Sequence, residues 1–170
     1  AVTVWLGHRR FGPSGAVVLA ALAALAVRGY GMNVLSHPWN PYFPVLWWLV
    51  ALVAAWLVLD GDTRLAPLVV AVTSVAAQTH VPYLVNAIAL DTIVIAALVW
   101  RWRRGTISGR VLGATLATGT VLWLPPIVEQ LVRADGNIAK LVRHFTTGEH
   151  EPAIGVTAAV EVIVRHLDLF

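Results

Sequence analysis

The stretch LAPLVVAVTSVAAQTHVPYLVNAIALDTIVIAALVW, residues 65–100, decides the fold. Its one ionised side chain is Asp91. As a single α-helix it would be about 54 Å long at roughly 1.5 Å per residue. A bilayer's hydrocarbon core is only about 30 Å thick, so no tilted single span accommodates it. The break falls at the polar cluster Gln78-Thr79-His80, where Pro82 also disfavours helix at Val81. Two helices are predicted, 65–79 and 82–100. Pro82 fits the first turn of the second, where its missing N–H costs nothing. The first is short for a full crossing, so a tilted helix, a locally thin bilayer and a re-entrant segment all stay open.

Outward from this pair the apolar runs continue. Residues 41–59 carry no charge, 12–27 form a shorter Ala-rich run ending at Arg28, and 107–125 carry only Arg110. Gly109, Gly113 and Ala117 recur every four residues on the last, a face that lets another helix approach closely. Over all 170 residues, 58% are hydrophobic and 12% charged, against about 25% charged in soluble domains. That excludes an ordinary soluble enzyme and a disordered tail. The net charge of +3 comes with Arg residues bunched beside apolar runs, which points to membrane topology and away from nucleic acid. No cysteine is present for a disulfide or a thiolate metal site. The expected fold is therefore all-α: a polytopic membrane protein of about five spans near 12–27, 41–59, 65–79, 82–100 and 107–125. The alternative is a soluble bundle with unusually long core helices.

Arginine placement sets the expected orientation. Residues 101–110 hold four Arg and no acid, which places them in the cytoplasm. Alternation then puts His8-Arg9-Arg10 and the Asp60–Arg64 turn on the same side of a plasma membrane. Residues 28–42, 78–83 and the C-terminal 127–170 fall outside. That last segment reads as amphipathic helices: Ile138, Leu141, Val142 and Phe145 share one face, opposite Lys140, Arg143 and His144. Val160, Ile163, Val164 and Leu167 repeat the pattern, with Glu161 and Arg165 as an i, i+4 pair. These helices suit a membrane surface or a domain that continues further. A chain opening on Ala1 and stopping at Phe170 is expected to be an excerpt, with its remaining helices as partners.

Polar residues gather on the outer side. Ser36-His37-Pro38-Trp39-Asn40-Pro41-Tyr42 and Gln78-Thr79-His80-Val81-Pro82-Tyr83 each combine imidazole, amide, proline and phenol at a membrane boundary. Such groups hold an amphiphile whose head is in water and whose tail is in lipid. The candidate substrate-binding residues are Arg28, His37, Asn40, Tyr42, Gln78, His80 and Tyr83. Each has a plainer role open to it. The aromatics form an interfacial belt, the histidines hydrogen-bond within loops, Gln78 bonds between helices, and Arg28 meets lipid headgroups in general. Asp91 lies about 13 Å along its helix from Pro82, near the midplane. A lone carboxylate there must be neutral, paired or facing a wet cavity, as a proton or ion relay or as a structural partner of another helix. Glu129 is the candidate general base. No metal-ligand spacing, nucleophile elbow or phosphate-cradling glycine loop occurs, and no cofactor is expected.

The order of Pro38-Trp39-Asn40-Pro41-Tyr42, Gln78-Thr79-His80 with Tyr83, and Leu122-Trp123-Leu124-Pro125-Pro126 with Glu129-Gln130-Leu131 resembles a group of actinobacterial multi-span proteins. These are similar to the GT-C superfamily of membrane glycosyltransferases, and the likeness covers most of residues 28–145. It implies transfer of a sugar from a polyprenyl-phosphate donor to a cell-envelope acceptor at the outer face, by an inverting displacement. In that family a carboxylate on an early outer loop usually deprotonates the acceptor while basic side chains hold the donor phosphate. Residues 28–42 contain no Asp or Glu, so no family catalytic residue maps onto this chain. The resemblance therefore puts the catalytic loop upstream of Ala1. A carrier module using Asp91 and a non-catalytic assembly subunit are the competing classes.

Overall fold

The computed structural model describes residues 1–37, 39–133, 135–147 and 154–167, with backbone only at 32, 33, 166 and 167. Pro38 of the family motif and the Leu167 side chain of the last apolar face lie outside the described residues. Among those described, the chain is all-helical: α1 (Val2–Ser36), α2 (Val45–Leu59), α3 (Ala66–Thr79), α4 (Pro82–Arg103), α5 (Gly109–Val132), α6 (Asn137–Thr147) and α7 (Gly155–Leu167). It forms two compact units, Ala1–Leu122 and Trp123–Phe170.

In the first unit α1 is interrupted at Gly12 (φ 66°, ψ −155°) and Gly31 (φ 77°, ψ 153°). Only glycine adopts that backbone cheaply. Pro13 starts the next segment, where a missing N–H is harmless. Residues 2–11 are thus a separate short helix turned back on 13–30. The two cross where glycines touch: a Cβ added at Gly15 would lie 2.5 Å from the Gly7 carbonyl oxygen. Leu6 and Leu19 are buried. The run expected to stop at Arg28 continues to the Gly31 break, so Arg28 is a helical residue.

α2 begins at Val45, four residues later than the apolar run suggested. Pro41 and Pro44 have no N–H to give, and residues 39–44 close as turns instead, with Tyr42 N donating to Trp39 O (3.0 Å) and Val45 N to Tyr42 O (3.2 Å). The break between α3 and α4 falls where expected. His80 is extended (φ −150°, ψ 117°) and Pro82 opens α4. α4 runs to Arg103 and stops before Gly105, whose φ of 69° suits a helix-ending turn. α5 departs most from expectation. It passes through Pro125-Pro126 and ends at Val132.

α3 lies between α2 and α4, with Ala66, Val69, Val72, Thr73, Ser74 and Ala76 all buried. Facing it are Ala51, Ala54 and Val58 of α2 and Val94 and Leu98 of α4. The many alanines let these helix axes come close. α5 approaches α3 through a different face from the one its glycine spacing suggested. Thr115 is fully buried and a Cβ on Gly119 would lie 3.3 Å from Val70, whereas the Cβ position of Gly113 is open.

The outward surfaces are apolar. Val17, Leu22, Leu52, Val85, Ile88, Ile93, Leu116 and Val121 are exposed. Among the described residues three helical stretches are long and apolar enough to cross a membrane: Val2–Gly31, of which 13–30 is the unbroken part, Pro82–Arg103 and Gly109–Val132, with apolar windows only 6%, 17% and 6% buried. A soluble bundle would turn those residues inward; these face out, which is compatible with a membrane-embedded protein. Val45–Leu59 is apolar but shorter.

In the second unit the end of α5 caps α6. Glu129 Oε2 accepts from Asn137 N (3.3 Å) and Gln130 Oε1 from Ala139 N (2.8 Å), satisfying donors that a helix start leaves free. Asp135 pairs with Arg143 at 2.7 Å. α6 has no buried residue, with Val142 and Phe145 exposed, and the Glu161–Arg165 pair on α7 forms at 2.5 Å.

Candidate functional site: the histidine–tyrosine end of the helical unit

α2 runs between two chemically different ends. At its C-terminal end lie the arginine segments. Arg10 meets Asp60 at 2.6 Å, Arg9 meets Asp62 at 2.9 Å, and Arg101 donates to the Leu59 carbonyl at 2.8 Å. Phe11 stacks on Trp56 with centroids 5.3 Å apart. Residues 9–10, 59–62 and 101 therefore lie together at one end of the bundle.

At the other end sit most of the candidate binding residues, in two clusters. In the first, Trp39 N donates to His37 Nδ1 (3.2 Å), while Tyr42 meets the His37 ring (6.2 Å) and the Trp39 ring (5.0 Å) edge-on. A neutral imidazole accepting at Nδ1 carries its hydrogen on Nε2. His37, which is exposed, thus presents an N–H donor outward. Asn40 is exposed in the same turn. In the second cluster Tyr83 meets His80 (6.1 Å) and Trp48 (5.5 Å). Trp48 lies one turn into α2, and its N–H donates to the Pro44 carbonyl at 2.7 Å, so the first cluster leads directly into the helix that contacts the second. The whole end is built from N–H and O–H donors and ring faces. That chemistry suits a phosphate or sugar hydroxyls above an apolar chain.

Three predicted residues have other engagements. Gln78 Nε2 donates to the Leu122 carbonyl of α5 at 3.1 Å. That carbonyl would normally receive the N–H four residues on, but position 126 is proline and has none. Gln78 replaces the missing donor. Glu129 belongs to the second unit, where its carboxylate caps α6. Asp91 is paired within the first unit: both its oxygens lie 2.9 Å from Thr73 Oγ1, and Thr73 is fully buried on α3. Thr73 Oγ1 also lies 3.0 Å from the Val69 carbonyl, so the hydroxyl ties the carboxyl group to the α3 backbone. Arg28 is exposed, and among the described residues no ion pair involves it.

Trp48 and Thr73 were not predicted as partners. For Thr73 a signal existed: it stands nine residues before Pro82 and Asp91 nine after, so two antiparallel helices bring them level. Among the described residues no group of three His, Cys, Asp or Glu side chains is placed to hold a metal ion. No protein-family model, curated protein or solved structure matches the chain, so the likeness to membrane glycosyltransferases rests on the residues quoted for it.

Proposed function

We propose that the chain is part of an integral-membrane glycosyltransferase that moves a sugar from a polyprenyl-phosphate donor to a cell-envelope acceptor at the outer face of the plasma membrane. In this reading five segments cross the bilayer: residues 13–30, α2, α3, α4 and α5. The arginine end is cytoplasmic, while the histidine–tyrosine end and residues 127–170 are extracytoplasmic. The observation that carries it is the gathering of His37, Tyr42, His80 and Tyr83 at the end of α2 remote from the Arg–Asp pairs. Arginine asymmetry between ends is the usual mark of orientation, and a donor with a charged head and a lipid tail needs polar groups at that depth. His37, His80 and Arg28 contact the donor phosphate, Asn40 the sugar or acceptor, and the aromatic rings shape the groove. The base is supplied from outside this chain. Asp91 is held by Thr73, the structural pairing between helices that competes with its use in a carrier.

Two measurements test the proposal. In the full-length protein, His80→Ala is expected to lower sugar transfer from the polyprenyl-phosphate donor without lowering expression; undiminished transfer removes His80 from the site. Reporter fusions at residues 80 and 105 are expected to report opposite compartments. The same compartment for both overturns the topology and the site with it.

A further inference from the structure

We propose that α4 carries a binding site for one anionic phospholipid of the leaflet on the arginine side. The acyl chain lies along Thr92, Ile95, Ala96 and Val99, and the phosphate lies at Arg103 and Arg104. This requires only that α4 cross the bilayer, and it holds whether or not the chain transfers sugar.

The groove has a volume of about 470 Å³ and is lined by Thr92, Ile95, Ala96, Val99, Trp100 and Arg103. They recur with helical period on the face away from Val94 and Leu98, which are buried in the bundle. Its one polar lining group at depth is already satisfied: Thr92 Oγ1 donates to the Ile88 carbonyl at 2.6 Å. The groove floor is therefore apolar along its length. From Thr92 to Arg103 it extends about 16 Å at 1.5 Å per residue, close to half of the roughly 30 Å hydrocarbon core. It fits the acyl region of one leaflet and would be too short for a structure spanning both.

Its mouth is positive. Arg103 lines it, and the Arg104 guanidinium sits over the Trp100 ring at 4.3 Å, which holds the second cation beside the first. Arg101 is turned away, donating to the Leu59 carbonyl. No acid occurs within 101–110, and the nearby carboxylates Asp60 and Asp62 are engaged by Arg10 and Arg9. A phosphodiester whose headgroup adds no positive charge complements this mouth. A zwitterionic choline head brings its own cation to the same place and gains less. Trp100, 53% exposed at the groove's rim, is the residue type that settles at headgroup depth.

The test is native mass spectrometry of the delipidated full-length protein in detergent, offered equimolar palmitoyl-oleoyl phosphatidylglycerol and phosphatidylcholine. The first lipid bound is expected to be phosphatidylglycerol by about fivefold for each contributing arginine. Arg103→Gln with Arg104→Gln is expected to bring the two lipids close to parity. Ala96→Phe, which fills the groove and leaves the charges alone, is expected to weaken the first binding step for both lipids. Arg110→Gln is expected to change neither. Equal binding of the two lipids by the unaltered protein overturns the site and leaves the glycosyltransferase reading untouched. A loss with Arg110→Gln as large as with the double substitution overturns it as well, since diffuse charge would then explain the preference. Binding of neither lipid overturns the site as well.

Discussion

Gln78 is claimed by two roles, and a double substitution separates them. Gln78→Leu removes the Nε2 donor that sits 3.1 Å from the Leu122 carbonyl. A net hydrogen bond is worth about 0.5–1.5 kcal/mol in water, and interhelical bonds in membranes average about 0.6 kcal/mol. Gln78 lies on an exposed turn of α3, where water partly replaces it, so the lower end applies: about 0.5–1 kcal/mol. Pro126→Ala restores an N–H four residues beyond Leu122, and that N–H takes over the carbonyl within the helix. In the Pro126→Ala background the cost of Gln78→Leu is therefore expected to fall to nearly zero, leaving a coupling energy about equal to the bond. Reversible unfolding of the full-length protein in mixed micelles, followed by far-ultraviolet ellipticity, measures all four corners of the cycle. An equal cost of Gln78→Leu in both backgrounds refutes the carbonyl-replacement account. Loss of sugar transfer with stability unchanged would make Gln78 a binding residue instead.

The same unfolding assay checks three further expectations. Gly12→Ala puts a side chain on a backbone at φ 66°, ψ −155° and is expected to cost about 1–3 kcal/mol; a neutral result would mean that residues 2–11 do not fold back on 13–30. Thr73→Val leaves Asp91 unpartnered between α3 and α4 and is expected to cost about 0.6 to 1.7 kcal/mol, while the same change costs little once Asp91 is replaced by Leu. Arg10→Gln breaks an ion pair whose side chains are 45% and 39% exposed; such pairs contribute less than about 1 kcal/mol, so its midpoint should shift little and less still at high salt.

What could be read from the residues was whatever local chemistry dictates. The α3–α4 break was legible because Pro82 and three consecutive polar side chains act on the same few peptide units. The amphipathic face of α6 was legible because four apolar residues recur at helical spacing. What was missed shares a cause: each feature depends on a contact beyond the helical turn in which it was read. Pro125-Pro126 looked like a helix end because the carbonyls they orphan have no local donor. The helix survives because α3 supplies one, an arrangement that membrane helices tolerate more readily than soluble ones. Glu129 was read only as a carboxylate at a helix exit, and its capping contact with Asn137 N comes from the fold. The 2–11 helix escaped notice because its contacts are Gly7 against Gly15 and its arginines to Asp60 and Asp62, none of which a periodicity in ten mixed residues reveals. The two aromatic clusters were each legible as compositions. Their common position at one end of α2 needed the fold.

The short helices bear on what that end can do. α2 with 15 residues and α3 with 14 span only about 22 and 21 Å at 1.5 Å per residue, against a core of roughly 30 Å. In the five-span reading the difference falls on the segments flanking them: the 39–44 turns and the 3-10 turn Thr63–Leu65. Both are internally hydrogen-bonded, as backbone below the headgroups must be. His37, Tyr42, His80 and Tyr83 are then drawn toward the boundary of the hydrocarbon. There the effective dielectric is lower, and each N–H or O–H donor interacts more strongly with a phosphate than it would in water. In the proposed function residues 28–42, with one arginine and no acid, gain from that depth a hold on phosphate that their composition alone would not give them.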